Sequence, residues 1–464
     1  MKEIYSRSKF YIQTFGCAMN YSDSERFEKI LKNNYLNKVN SIKNADVVIF
    51  NTCSVRQKAE DRILGLGPVI KNLKENNPNL VTILTGCMAR RMWDSKQSRH
   101  NKKWKTKLKK QMPWLDYIVE TMDFPCFMNA IIKKNKMNDY EEFFDIIPKY
   151  KNKFQAYLPI STGCDHFCAY CIVPYARGRE VCRSFESIHK EYSELIKNGY
   201  KDITLVGQIV NRWTRPKDKI QKPQLKADTQ KLKEVKDHNF ILNFLELLTE
   251  LDKVPGDYWL SFTSPHPQYF SDELIEFFGK ARHLRPFINL PLQSGNDEIL
   301  KRMNRNYSYE EYKNIILKLR KALPDIVITT DIIVGFPGET EKQFLDTQKA
   351  MKELKFDMAY INEYSERHGT KASLMKDDVS HKEKEKRKYI LNEILRKTSR
   401  EQKEAEIGKI LKCLPYKVLA QKTICKTINN RDVLVFEKIP LGVFLNIKIT
   451  GCTDWALKGR IFRN

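Results

Sequence analysis

The sequence predicts an α/β protein in three parts: an N-terminal open parallel sheet over residues 1–150, a central (β/α)6 partial barrel over 151–403, and a small β-barrel over 404–464. Three observations predict it. Short β-rich runs alternate with helical ones before residue 150. Six further strand–helix units follow Ala156, the pattern of a partial parallel barrel. After the charge-rich segment His381–Gly408 the composition shifts to short β patterns. A chain of 464 residues has room for about three domains. Its apolar content supports sizeable cores without disulfide staples.

In the first part, Phe10–Thr14 reads as a strand ending at Phe15-Gly16-Cys17, and Ser22–Asn33 as a helix begun by Ser22 or Asp23. Val47–Phe50 ends at Asn51-Thr52-Cys53, before a helical stretch from about Gln57 to Lys74. Val81–Leu84 ends at Thr85-Gly86-Cys87, again before a helix. Open parallel sheets bind ligands beyond the carboxyl ends of their strands. All three cysteines fall at that edge, and Gly16 and Gly86 permit tight turns beside two of them. Cysteine is often only a small core residue, but this placement favours a three-thiolate iron–sulfur site.

In the central part the strand candidates are Ala156–Ser161, Ile203–Val206, Trp259–Thr263, Phe287–Leu290, Ile326–Val334 and Met358–Tyr364, with helices such as Tyr309–Leu323 and Gln343–Leu354 between them. Just past the first strand comes Cys164-Asp-His-Phe-Cys168-Ala-Tyr-Cys171. Three thiolates spaced C-x3-C-x2-C hold three irons of a four-iron cluster and leave the fourth without a protein ligand. A structural zinc site normally closes with four ligands, and His166 is the residue that would supply the fourth in that alternative.

C-x3-C-x-aromatic-C, with Tyr170 as the aromatic, resembles the radical S-adenosylmethionine (SAM) superfamily. The resemblance implies that the open iron at Cys164, Cys168 and Cys171 binds SAM. It also implies that reductive cleavage there yields a 5′-deoxyadenosyl radical and that Tyr170 lies beside the adenine. Further loops repeat family patterns: Pro174-Tyr-Ala-Arg177-Gly178, Thr263-Ser264-Pro-His266-Pro267, Leu290-Pro-Leu-Gln293-Ser294-Gly295, Asp331-Ile-Ile-Val-Gly335-Phe-Pro337-Gly338-Glu339-Thr340 and Tyr364-Ser-Glu-Arg367-His-Gly369. They imply that Arg177 meets an anionic substrate or the SAM carboxylate. Gln293, Ser294 and Glu339 would then contact SAM, with Gly335 and Gly338 allowing close backbone approach.

Gly16-Cys17-Ala-Met-Asn20, Asn51-Thr52-Cys53-Ser54-Val55-Arg56 and Gly86-Cys87-Met-Ala resemble the N-terminal domain of the methylthiotransferases. That family implies a second four-iron cluster at Cys17, Cys53 and Cys87, engaged in delivering sulfur. Cys126, Cys182, Cys413, Cys425 and Cys452 match no ligand position. The loop Gly207-Gln208-Ile209-Val210-Asn211 resembles the MiaB branch, with Ile209 in place of a polar residue, and Asn289 stands where relatives carry histidine. The branch implies transfer of a methylthio group to carbon 2 of isopentenyladenosine next to the anticodon of tRNA. Gln208 and Asn211 would lie near the RNA. The alternatives are threonylcarbamoyladenosine of tRNA, an aspartate of a ribosomal protein, or a noncatalytic iron–sulfur RNA-binding redox sensor. A ferredoxin-like carrier fits less well, because both triads lack a fourth thiolate.

The tail candidates Cys413–Leu419, Asp432–Phe436, Phe444–Ile449 and Lys458–Phe462 resemble the OB-like TRAM domain, an RNA-binding barrel, with Gly442, Thr450, Trp455 and Lys458 near its pattern. Lys plus Arg number 82 against 57 Asp plus Glu, a net +25 that predicts a polyanionic partner. Lys96, Arg99, Lys102, Lys103, Lys105, Lys107, Lys109 and Lys110 crowd one stretch. Trp104, Leu108, Met112 and Leu115 there mark a helix with a basic outer face. Arg212–Asp237 is a second lysine-rich insert, read as a loop. The start Met1-Lys-Glu-Ile-Tyr-Ser-Arg-Ser carries no signal pattern, and no apolar run approaches the ~20 residues that cross a bilayer. The expectation is a cytoplasmic monomer, away from membranes, with reduced or metal-bound thiols. Its partners would be tRNA, an electron donor such as flavodoxin or ferredoxin, and a sulfur source.

Replacing Lys102, Lys103 and Lys105 with Ala is expected to weaken RNA affinity and flatten its salt dependence, by roughly one unit of log–log slope for each phosphate no longer neutralised. Filter binding across a salt series checks this, and an unchanged slope would make the stretch a merely solvated face.

Overall fold

In the computed structural model, which describes residues 4–5, 7–55, 57–92, 106, 109–133, 142–216 and 243–463, the strand Lys9–Phe15 lies between Asn37–Lys38 and Val47–Thr52. Val81–Thr85 and Tyr117–Ile118 complete this five-stranded sheet, and every pairing is parallel. Val47–Thr52 and Val81–Thr85 are buried along their whole length. A parallel strand covered by helices on both faces needs such an unbroken apolar run. One face packs Phe10, Phe27, Phe124 and Phe143; the other packs Val48, Phe50, Met112 and Trp114.

Two helices differ from expectation. The first runs from Ala18 to Asn33, a full turn earlier than its Ser22 or Asp23 signals, because Cys17 occupies the N-cap position. The stretch from Gln57 divides into Gln57–Leu64 and Gly67–Asn76, broken at Gly65 and restarted with Pro68 in its first turn. Lys96, Arg99, Lys102, Lys103, Lys105 and Lys107 lie outside the described residues, as does most of the Arg212–Asp237 insert.

The central strands Gln155–Pro159, Asp202–Val206 and Trp259–Phe262 form one parallel ladder, and Phe287–Asn289, Val327–Val334 and Met358–Glu363 form another. A parallel bridge from Leu260 to Leu284 joins the ladders, giving an open barrel wall in chain order. Its core carries Leu158, Leu205, Leu260, Ile288, Ile328 and Phe356. Helices Tyr309–Ala322 and Glu341–Leu354 start at Ser308 and Thr340, each with a reciprocal capping box.

The helix His381–Glu404 leads into a closed five-stranded barrel of Ile410–Leu419, Lys422–Thr427, Asp432–Val435, Leu445–Cys452 and Leu457–Ile461. Lys422–Thr427 is absent from the strands expected from sequence; its buried residues alternate with half-buried ones, so no apolar run announces it. Cys413 and Cys425 sit in the barrel core as small apolar residues. The barrel docks on the amino-terminal edge of the central wall. There Arg285 donates to the carbonyls of Thr427 (2.6 Å) and Ile428 (2.7 Å), and Arg431 pairs with Asp357 and Glu406.

A buried ion cluster fixes the first sheet against the central wall. Arg26 of the first helix donates to both oxygens of Glu191 (2.9 and 2.8 Å), and Arg183 reaches the same carboxylate at 2.5 Å. Tyr150 donates to it as well, and none of the three ionic side chains is more than 1% exposed. Removing one member of such a group strands the others without water, at a cost of about 3–5 kcal/mol. Glu191→Ala is therefore expected to destabilise the chain by that order in a denaturant melt, with the interface between the two sheets opening first. A melt within about 1 kcal/mol of the parent would contradict it.

Candidate functional site

Cys17, Cys53 and Cys87 follow the carboxyl ends of three adjacent strands of the first sheet, close enough for each thiol to perturb the ionisation of the others. Local structure holds them there. Asn20 folds back to accept from the Cys17 backbone N–H (3.3 Å) and thiol (3.4 Å), filling the space where a side chain on Gly16 would be. Asn20 Nδ2 donates to Asn51 Oδ1, and Asn51 Nδ2 donates in turn to the Asn20 carbonyl and Ser24. Gly86 adopts φ +83°, a left-handed turn in which an added Cβ would collide with Asn51 and the Thr52 backbone. The neighbouring Cys53 thiol lowers the Cys17 pKa to about 5 against the opposing effect of burial, with help from the Arg177 charge. The neighbouring Cys53 thiol also lowers Cys87, to about 7, against the opposing effect of burial. Cys53 is correspondingly raised, by the neighbouring thiols of Cys17 and then Cys87.

The second triad sits in a loop clamped at its base. Ser161–Thr162 pairs antiparallel with Val181–Cys182, and Cys164 N donates to the Gly178 carbonyl at 3.0 Å. Gly163, at φ +78°, lets the Arg179 carbonyl approach to where a Cβ would stand only 1.9 Å away. Cys171 N closes a turn on the Cys168 carbonyl, and Ala169 N donates to the Met303 carbonyl. Burial raises Cys164 to about 11 and Cys171 to about 12. Tyr170 packs against the cluster of Ile299, Met303, Phe336 and Tyr364 beside the thiols.

The two sites are neighbours. The helix Cys87–Met92 begins at a thiol of the first triad and packs on the helix Val173–Arg177, which begins two residues after Cys171. Arg177, expected to meet an anionic substrate or the SAM carboxylate, has its side chain bonded at the first triad. Its Nε donates to Cys87 Sγ (3.2 Å), Nη1 to Thr162 (3.3 Å) and Nη2 to Asp23 (2.7 Å).

Other residues expected at the SAM site brace its loops. The Glu339 carboxylate accepts from Gly335 N (2.6 Å) and Arg387 (2.7 Å), Ser294 bonds Thr347, and Lys384 covers the open side of Gly335. Gln293 takes φ +72° and pairs with Ile332 at the carboxyl edge. Arg302 occupies the space beside Gly338. Asn211 is buried with both ends of its amide bound to the His266 backbone (2.9 and 2.8 Å), so it shapes that loop. Gln208 is half-buried after Asp202–Val206, and Ile209 is buried. Lys458 is half-buried on a strand of the distant barrel. Asn289 donates to Asp331.

Sequence reasoning missed Arg305, whose Nη1 lies 3.7 Å from Cys168 Sγ and whose Nε donates to the Tyr307 hydroxyl. It also missed Asn304, which donates to the His166 and Phe167 carbonyls and shapes the motif loop. Neither stands in a motif, and each lies more than 130 residues from its partner, so no local signal marks them.

The donor sets fit iron–sulfur clusters better than zinc. Among the described residues no three His, Cys, Asp or Glu side chains are arranged to hold a single metal ion. His166, the fourth ligand of the zinc alternative, spends Nε2 on the Tyr269 hydroxyl at 2.6 Å. Burial holds its pKa down at about 4. What remains at each site is three soft donors with cationic hydrogen bonding to a sulfur, the environment in which thiolate-held clusters are bound and tuned.

Fold and thiol motif together define a radical SAM enzyme. Residues 158–351 match the radical SAM superfamily, and residues 9–105 match an uncharacterized protein family, UPF0004. The tRNA-2-methylthio-N(6)-dimethylallyladenosine synthase of Clostridium botulinum is 36% identical over 475 residues, covering 99% of this chain and 98% of that one. The synthase of the same name from Dictyoglomus thermophilum is 35% identical, covering 98% and 99%. The chain belongs with them to the methylthiotransferase family of radical SAM enzymes. The cobalamin-dependent SAM radical enzyme OxsB shares the fold at a TM-score of 0.50 and 11% identity, over 83% of this chain and 56% of that one.

Gly163→Ala is expected to displace the Cys164 loop and halve the iron content of anaerobically prepared protein. Iron retained at the parental level would show that the loop tolerates the side chain.

Proposed function

We propose that this chain transfers a methylthio group to carbon 2 of isopentenyladenosine beside the anticodon of tRNA. The observation that carries the reading is that two three-thiol sets lie at the carboxyl edges of two sheets and are joined by the packing of the helix Cys87–Met92, which begins at one set, on the helix Val173–Arg177, which follows the other. Identity of 36% across nearly the whole length to synthases of that name supports it.

In this reading Cys164, Cys168 and Cys171 hold one four-iron cluster, and Cys17, Cys53 and Cys87 hold the other. When bound, the first cluster and SAM supply a carbon radical able to take hydrogen from an unactivated aromatic carbon, chemistry that belongs to the cofactor. The chain orients and shields that chemistry. Tyr170 and the apolar group around Phe336 and Met303 bound one side of the motif. His166, within the motif, packs by tilted and edge-on ring contacts with His266 and Tyr269, and His266 packs edge-on against Tyr307. Burial keeps both imidazoles neutral, with His266 down at about 2. They add no charge where SAM, itself a cation, must bind. Arg305 holds the Cys168 side of the site against Tyr307 and the Pro291 carbonyl. The adenine enters as an unstacked loop base, which costs less than extracting it from a duplex.

The division into residues 1–150, 151–403 and 404–464 assigns the auxiliary site, the radical site and a TRAM-like RNA-binding barrel. An electron donor such as flavodoxin or ferredoxin and a sulfur source complete the reaction, and the enzyme works as a cytoplasmic monomer. No helix among the described residues is long and apolar enough to cross a membrane.

Nucleoside mass spectrometry of tRNA from cells with and without the gene tests the acceptor. Loss of the 2-methylthio mark from isopentenyladenosine is expected, whereas loss from threonylcarbamoyladenosine would overturn the assignment. Cys168→Ala is expected to abolish deoxyadenosine formation and to leave roughly four of roughly eight irons in place. Undiminished SAM cleavage would refute the role of the second triad.

A further inference from the structure

Arg177 stands at the end of the helix that follows the second cysteine motif, yet its side chain serves the first triad. It is 5% exposed, and its buried partner Asp23 is 3% exposed. A guanidinium stays protonated in a protein, and this one donates to the Asp23 carboxylate at 2.7 Å and to the Cys87 sulfur at 3.2 Å. The Asp23–Arg177 pair is thus a fixed dipole inside the protein, with its positive end on the Cys87 sulfur.

We propose that this pair sets the reduction potential of the cluster held by Cys17, Cys53 and Cys87, with Arg177 as a positioning residue that raises it and Asp23 as its counterweight. The inference rests on the reading that those three thiols bind a cluster. Adding one electron to a thiolate-ligated cluster increases its negative charge. A buried cation donating a hydrogen bond to a ligand sulfur stabilises the reduced form more than the oxidised one. The Asp23 carboxylate, 2.7 Å from Nη2, cancels part of that field. The contact also makes the auxiliary site depend on the radical SAM loop, because the arginine is carried by residues 173–177 and braced on Thr162.

The test uses full-length protein carrying Cys164→Ala, Cys168→Ala and Cys171→Ala, so that only the auxiliary cluster remains. Its midpoint potential is read by electron paramagnetic resonance during titration with a one-electron reductant and mediators. Arg177→Gln is expected to shift the potential negative, Asp23→Asn to shift it positive, and Arg177→Lys to recover part of the Arg177→Gln shift. A purely structural role would not produce opposite signs. Unchanged potentials, or shifts of the same sign, overturn the proposal. Should Arg177→Gln lose the cluster, the isosteric Asp23→Asn variant decides alone: a positive shift supports the proposal and no shift overturns it. If the triple-alanine parent itself binds no iron, the cluster reading fails and takes the proposal with it, an outcome distinct from bound iron with an unmoved potential.

Discussion

One carboxylate sets the geometry on which the rest of this molecule depends. Glu191 holds Arg26 from the first helix and Arg183 from the loop after the second cysteine motif, with Tyr150 closing its remaining capacity. The two arginines come from the parts of the chain that build the two different cysteine sites. Because the group is sealed from water, neither arginine can move without abandoning a buried charge, so the cluster behaves as a single peg. It fixes the first sheet at the side of the central wall, with the carboxyl edges of both carrying their thiols. Arg177 then makes the finer connection between them.

The same constraint explains how glycine is used. At Gly86 and Gly163 the backbone must turn with positive φ while another main chain passes within van der Waals distance of the missing side chain. Both lie one residue before a cysteine. A thiol delivered by the end of a strand or a clamped loop is held by the sheet itself, which is more rigid than a free loop. Asparagine supplies the remaining support: Asn20 and Asn51 interlock below the first triad, and Asn304 braces the second.

The C-terminal barrel stands at the other end of the wall. Arg285, Asp202 and Asp357 lie at the amino ends of central strands and anchor it, while the cysteines lie past the carboxyl ends. Strands of three to eight residues separate the two, a distance of roughly 10–26 Å at about 3.3 Å per residue. The exposed aromatics Phe436 and Trp455 therefore belong to a surface distinct from the mouth of the site.

Local pattern was enough to identify the parallel sheets and the terminal barrel, and it singles out six thiols that the fold carries past strand ends. Apolar runs mark the strands, and a Gly-Cys step or the C-x3-C-x2-C spacing marks their ends. It failed where tertiary contacts decide. The first helix starts at Ala18 because Asn20 can reach back over Gly16, a cap that no standard N-cap residue signals. Arg177 was legible as a functional arginine but not its target, since Cys87 is 90 residues away and Asp23 is 154 away. Glu339, Ser294 and Asn211 carry polar groups that in the fold bond Arg387, Thr347 and His266, contacts that no local pattern announces. Sequence alone determined which chemistry the chain can hold, because ligand type and spacing are local. Which charge faces which sulfur was decided by packing, because a buried guanidinium goes wherever the folded chain offers it an anion.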